Sequence, residues 1–204
     1  MYEKREHQQE KLVKAACELA AEKGIGALRT RAIAAKAGVS VGTLHYCFET
    51  KEELLRALYR YVRAEFRTSL DGILYGESVA PETLSAMTRA RVHLLENQTT
   101  AFKAWRAFTR EAWTDPTVKE IVKEHFAEQR ARIEAALLRE QQSPPVAEGR
   151  GPCSGKEGSA RVDAAILVSI YEGLNVQWTI DPDAFSLDEY SRAIAQIHGL
   201  KDDG

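Results

Sequence analysis

Between Thr30 and Leu54 the chain reads TRAIAAKAGVSVGTLHYCFETKEEL, and its residue types suit contact with double-stranded DNA. Val41 and Thr43 carry methyl groups that can meet thymine, and Gly42 between them allows close backbone approach. Thr30 and Lys51 lie at expected helix starts, where free N–H groups and the helix dipole favour an anion such as phosphate. Lys51 adds a full charge, and Arg31 and Lys36 add two more along the same stretch. His45 can donate to phosphate, with a charge that depends on pH near ~6.5. Tyr46 either reaches DNA or packs on the following helix. Cys47 reads as an inert thiol rather than a redox sensor.

Such residues act only if helices hold them outward. Thr30 suits the N-cap of an alanine-rich helix, and Gly38 ends that helix where a positive φ is needed. Ser40 can cap a second helix that begins at Val41. Two helices this close must cross steeply, with Ile33, Ala34, Ala37, Val39 and Leu44 as shared core. That is a helix-turn-helix, whose second helix enters the major groove. Thr50 and Glu53 form a capping box that opens the next helix.

The run Thr30-x-x-Ile33-Ala34-x-x-Ala37-Gly38-Val39-Ser40-x-Gly42-Thr43-Leu44, followed by Phe48-x-Thr50-Lys51-Glu52-x-Leu54, resembles the DNA-binding domain of the TetR family of bacterial repressors. The match spans roughly a quarter of the chain at fixed spacing. Two positions depart from it, His45 for the usual Tyr and Cys47 for His or Tyr. The resemblance implies that Thr30, Thr43, His45, Tyr46 and Lys51 contact DNA, mostly through phosphates.

Composition agrees. The first 70 residues carry an excess of Lys and Arg, and the remainder an excess of Asp and Glu, within a formal net charge of −2. A basic segment on an acidic body suits a protein that presents one end to phosphate. Cys17, Cys47 and Cys153 have no paired or metal-ligand spacing, so reduced thiols are expected. The start MYEKREHQQEKL lacks the apolar run of a secretion signal, and no run nears the roughly 20 residues of a membrane helix. A cytoplasmic protein without metal or cofactor is expected. His93, Glu96, Glu124, His125, Glu128 and His198 are scattered, without H-E-x-x-H, CxxC or G-x-S-x-G, which argues against an enzyme.

Helical patterning continues to the end, so the fold is expected to be all-α with about nine helices. The first runs from about Glu3 to Lys23. The fourth, Lys51 to about Leu70, is long enough to leave the DNA-binding domain. Asp71 to Ala80 reads as a bend, with Pro81 in the first turn of the fifth helix. Asp115 and Pro116 restart the chain as the seventh. Gln141 to Ser159 holds three of the six prolines and four of the thirteen glycines, and is expected to be a loop. Ser186 and Glu189 cap the last helix. The expected division is residues 1–50 for DNA binding and 51–204 for ligand binding and dimerisation.

The eighth helix, Ala160 to Trp178, is apolar on nearly all sides, as if covered by a second subunit. With the ninth it would build a four-helix bundle across a dimer, and the family resemblance implies the same place. Phe102 to Pro116 and Ile170 to Trp178 resemble the BetI-type regulatory domain of the family. Trp105, Phe108, Trp113, Tyr171 and Trp178 could line a ligand pocket, with Glu172 and Asn175 as orienting groups. The function expected is a dimeric repressor on a roughly palindromic operator, released by a small-molecule effector. The alternative is a DNA-binding protein of this fold without a small-molecule switch, organising DNA or answering to a protein partner.

Overall fold

A computed structural model describes residues 2–74, 84–142 and 157–197. Among them the chain is all-helical: α1 Tyr2–Lys23, α2 Thr30–Ala37, α3 Val41–Cys47, α4 Lys51–Leu74, α5 Leu84–Asn97, α6 Thr100–Glu111, α7 Pro116–Gln142, α8 Glu157–Ile180 and α9 Leu187–Ile197. A short 3-10 turn, Ile25–Ala27, precedes α2 and was not foreseen. Most of the expected loop and bend, with Pro81, lies outside the described residues. Where the edges of those segments are described, at 71–74, 141–142 and 157–159, they are helical rather than bent or looped. No described helix is long and apolar enough to cross a membrane.

Local chemistry explains most of the helix ends. Gly38 adopts the left-handed conformation (φ 67°, ψ 32°) and its N–H returns to the α2 carbonyls. The Ser40 hydroxyl accepts from the Thr43 amide at 3.0 Å. Thr50 Oγ1 accepts from the Glu53 amide at 3.1 Å, while Glu53 Oε2 accepts from the Glu49 amide at 2.9 Å. Ser186 and Glu189 bond reciprocally at 3.3 and 3.4 Å. One expectation fails. Thr30 is the first residue of α2 and Arg29 holds the cap position with extended backbone, so no side chain caps this helix.

The contacts divide the chain into two compact units, residues 1–69 with 98–124, and residues 70–97 with 125–204. In the first, α1 is the hub: Leu12, Ala16 and Ala20 are buried, and the helix packs on α2, α3 and most extensively on α6. α6 buries Ala101, Ala104, Trp105 and Phe108 at helical spacing. The Tyr59, Trp105 and Phe108 rings lie 6.1–6.4 Å apart, within the range of favourable aromatic pairing. In the second unit, Ile133, Ala136 and Leu137 of α7 share a buried cluster with Ala160, Ala164 and Leu167 of α8. His125 of α7 is buried, only 4% exposed.

Asp115 does two things in the first unit. Its Oδ1 accepts from the Thr117 and Val118 amides at 2.9 and 3.2 Å, capping α7, and its Oδ2 accepts from Lys51 Nζ at 3.2 Å. Burial pushes this carboxyl up, but the amides and the lysine outweigh it and hold it below the ordinary range. A carboxyl so lowered stabilises the fold above its unfolded-state pKa and loses that contribution as pH falls through the folded value. Asp115→Ala should therefore cost about 1 kcal/mol at pH 7 in urea unfolding, and the gap from the parent should shrink below pH ~4.

Candidate nucleic-acid interface

A seven-residue helix cannot hold its own shape in water, so α3 depends on its neighbours. Leu44 and Cys47 are 2% and 1% exposed, and Ile33, Ala34 and Phe48 close the core around them. Ala37 and Val39, also expected there, are half-buried. At the start of α3 stands the Ser40 cap. At its end, Gln9 Nε2 of α1 donates to the Cys47 carbonyl at 3.0 Å. Both ends are thus held by side chains from outside the helix.

What is left outward is one face. Val41, Gly42, His45 and Tyr46 fall within a single arc of α3 and are exposed, Tyr46 to 59%. Tyr46 therefore does not bury itself against α4; the Arg5 guanidinium lies over its ring, 5.4 Å from the centroid. Thr43 sits at the edge of the arc, half-buried, with its hydroxyl 2.9 Å from Ser40 Oγ. Arg5, absent from the residues singled out by spacing, had no local signal; only the packing of α1 on α3 brings it here.

Gly42 is informative. A Cβ built there would meet only Ser40 Oγ at 3.6 Å, an ordinary contact, and its φ is not in the left-handed region. No described neighbour requires glycine at this position, and glycine is among the poorest residues for a helix. A surface that must come close to another molecule is the remaining physical reason for it.

The cations are placed less uniformly. Thr30, Arg31 and Lys51 are exposed. Lys51 lies at the start of α4, with Glu52 and Glu53 beside it and Asp115 as its ion-pair partner. Lys36, by contrast, turns toward α1 and pairs with Glu18 and Glu22 at 3.2 and 3.0 Å. Its bonds to Glu22 and Glu18 raise its pKa. Burial likewise raises the Cys47 thiol, against a lowering by Arg5, so it is no ready thiolate.

The residues expected around a ligand fall in two places. Trp105 and Phe108 are 1% and 0% exposed inside the first unit, and Trp113 is 90% exposed. In the second unit Tyr171 is 3% exposed and its hydroxyl lies 2.7 Å from Thr88 Oγ1. Asn175 is buried, Glu172 faces Arg91, with Nη1 3.5 Å from Oε1, and Trp178 is half-buried. On the opposite side of α8, Val162, Ile166, Val176 and Ile180 are 50–78% exposed, and Val162 and Ile166 border an open groove of about 610 Å³ reaching Phe185 and Tyr190.

Comparison with known proteins agrees with this geometry. Residues 12–58 match bacterial regulatory proteins of the tetR family, and residues 80–198 match the C-terminal domain of BetI-type transcriptional repressors. No protein of curated function matches the chain. Among solved structures, a transcriptional regulator from Rhodococcus sp. Rha1 is 25% identical, with 93% of each chain covered and a TM-score of 0.66. The multidrug binding protein EbrR, complexed with imidazole, is 16% identical over 96% of this chain and 92% of that one, with a TM-score of 0.66. SmeT in complex with triclosan is 18% identical over 97% and 93%, with a TM-score of 0.72.

Gly42→Ala separates packing from contact. It should raise stability by about 0.5–1 kcal/mol in urea unfolding while weakening binding to the preferred duplex in fluorescence anisotropy. Unchanged DNA affinity would mean that nothing approaches this backbone.

Proposed function

Because the chain belongs to the TetR family of bacterial regulatory proteins, we propose that this transcriptional regulator works as a homodimeric repressor released from its operator by a small molecule. The observation that carries the reading is the outward face of α3: Val41, Gly42, His45 and Tyr46 exposed on a helix whose other side is buried. Phosphate contacts come from Thr30, Arg31 and Lys51 and from the exposed tip of α3, whereas Lys36 contributes only if it leaves Glu18 and Glu22. Ser40 acts through its cap, and Thr43 offers its methyl group.

One short helix makes few base contacts, so useful specificity calls for two copies on a two-fold related site. The exposed apolar side of α8 supports a dimer through α8 and α9, since four large aliphatic side chains otherwise face water. By task, residues 1–50 bind DNA and residues 51–204 sense and dimerise, although α6 and the start of α7 pack in the same unit as α1. Small-molecule control is supported by EbrR and SmeT, proteins of this fold seen with imidazole and triclosan. The effector selects one arrangement of each subunit, and α4, which begins at Lys51, carries the change to the helix-turn-helix. A coupling of about 1–3 kcal/mol would weaken operator affinity about 5–150-fold.

Two variants test this. Lys51→Ala should weaken binding to every duplex and reduce the slope of log affinity against log salt by about one. Ile166→Glu should yield a monomer in analytical ultracentrifugation that has lost operator binding. A dimeric Ile166→Glu protein with full DNA affinity would place the interface elsewhere.

A further inference from the structure

Three side-chain oxygens on α8 make no hydrogen bond among the described residues. Glu172 Oε1, Asn175 Oδ1 and Thr179 Oγ1 are closed off from solvent and accept no hydrogen bond. Their spacing of three and four residues puts them in one row along the helix. Asn175 as a whole is only 7% exposed. Natural interiors leave few polar atoms unmet, so three in a row need an explanation.

The surroundings define what would satisfy them. Arg91 is 3.5 Å from Glu172 Oε1, an ion pair beyond good hydrogen-bond geometry, and its guanidinium lies over the Tyr171 ring, 5.7 Å from the centroid. Tyr171 is pinned by its hydroxyl contact with Thr88 at 2.7 Å. A carboxylate and an amide oxygen only accept, while the Thr179 hydroxyl can do either. An anion would meet the Glu172 charge, and an apolar molecule would leave all three oxygens bare.

We infer that this row receives an organic cation bearing N–H donors, a protonated amine or an amidine or guanidine, with Glu172 as counter-charge and Asn175 and Thr179 accepting further N–H bonds. The inference rests on the reading of Glu172 and Asn175 as effector-facing residues and narrows the effector to a chemical class. Burial raises the Glu172 carboxyl, against a lowering by Arg91. Charge alone does not meet the requirement: a quaternary ammonium has no N–H to give.

Calorimetry on the full-length protein without DNA, at pH 7, tests this with benzylamine, benzamidine and benzyltrimethylammonium. Benzylamine or benzamidine should bind at least about tenfold more tightly than the quaternary ion, and Glu172→Gln and Asn175→Ala should each weaken that binding about tenfold. Equal binding of the quaternary ion, or no binding of either N–H probe at millimolar concentration, overturns the inference and leaves the oxygens to water. DNA release is read separately, by anisotropy. N–H cation binding without release would keep this site and sink small-molecule control. Release by other compounds, with no N–H cation bound, would do the reverse.

Discussion

The geometry of α3 rests on one constraint: a helix of seven residues is not stable by itself, so its direction is set wholly by what holds it. Leu44 and Cys47 anchor one side, Ser40 ties the start, and Gln9 ties the last carbonyl to α1. Each anchor faces away from the arc of Val41, Gly42, His45 and Tyr46. The exposed face is therefore oriented by residues that lie behind it, with Arg5 over Tyr46 at its end.

The same economy of contacts continues into the rest of the first unit. α1 holds α3 through Gln9 and Arg5, and holds α6 through its apolar stripe. The start of α4 is linked to α7 twice, by Lys51 with Asp115 and by Arg56, whose Nη1 lies 3.0 Å from Glu124 Oε2. These ion pairs are screened by solvent, and so they open at little cost. In the proposed reading Lys51 is shared between Asp115 and a DNA phosphate. A regulator needs contacts of this weak, exchangeable kind beside its DNA surface, with the strong ones reserved for the hydrophobic core.

Local chemistry made much of this legible in the sequence. Gly38, Ser40, Thr50 with Glu53, Asp115 with Pro116, and Ser186 with Glu189 mark helix ends through bonds made within a few residues. Thr30 misled because threonine suits both the cap and the first helical position, and the extended backbone of Arg29 decided between them. Other features depend on how helices cross, which spacing alone does not tell. The pairing of Lys36 with Glu18 and Glu22 and the place of Arg5 over Tyr46 are of that kind. The aromatic residues fall in different surroundings for the same reason: Trp105 and Phe108 fill a core, Trp113 is exposed, and Tyr171 is buried on α8 near the polar atoms of Glu172 and Asn175.

Whether α3 is a reading head used in pairs is decided most directly by hydroxyl-radical footprinting on a duplex selected from random sequence by the purified protein. Two protected patches of equal strength, symmetric about a centre and about one helical turn apart, are the result expected of two α3 helices in successive major grooves. A single asymmetric patch, or protection that follows no sequence, would show that α3 does not read DNA in this way.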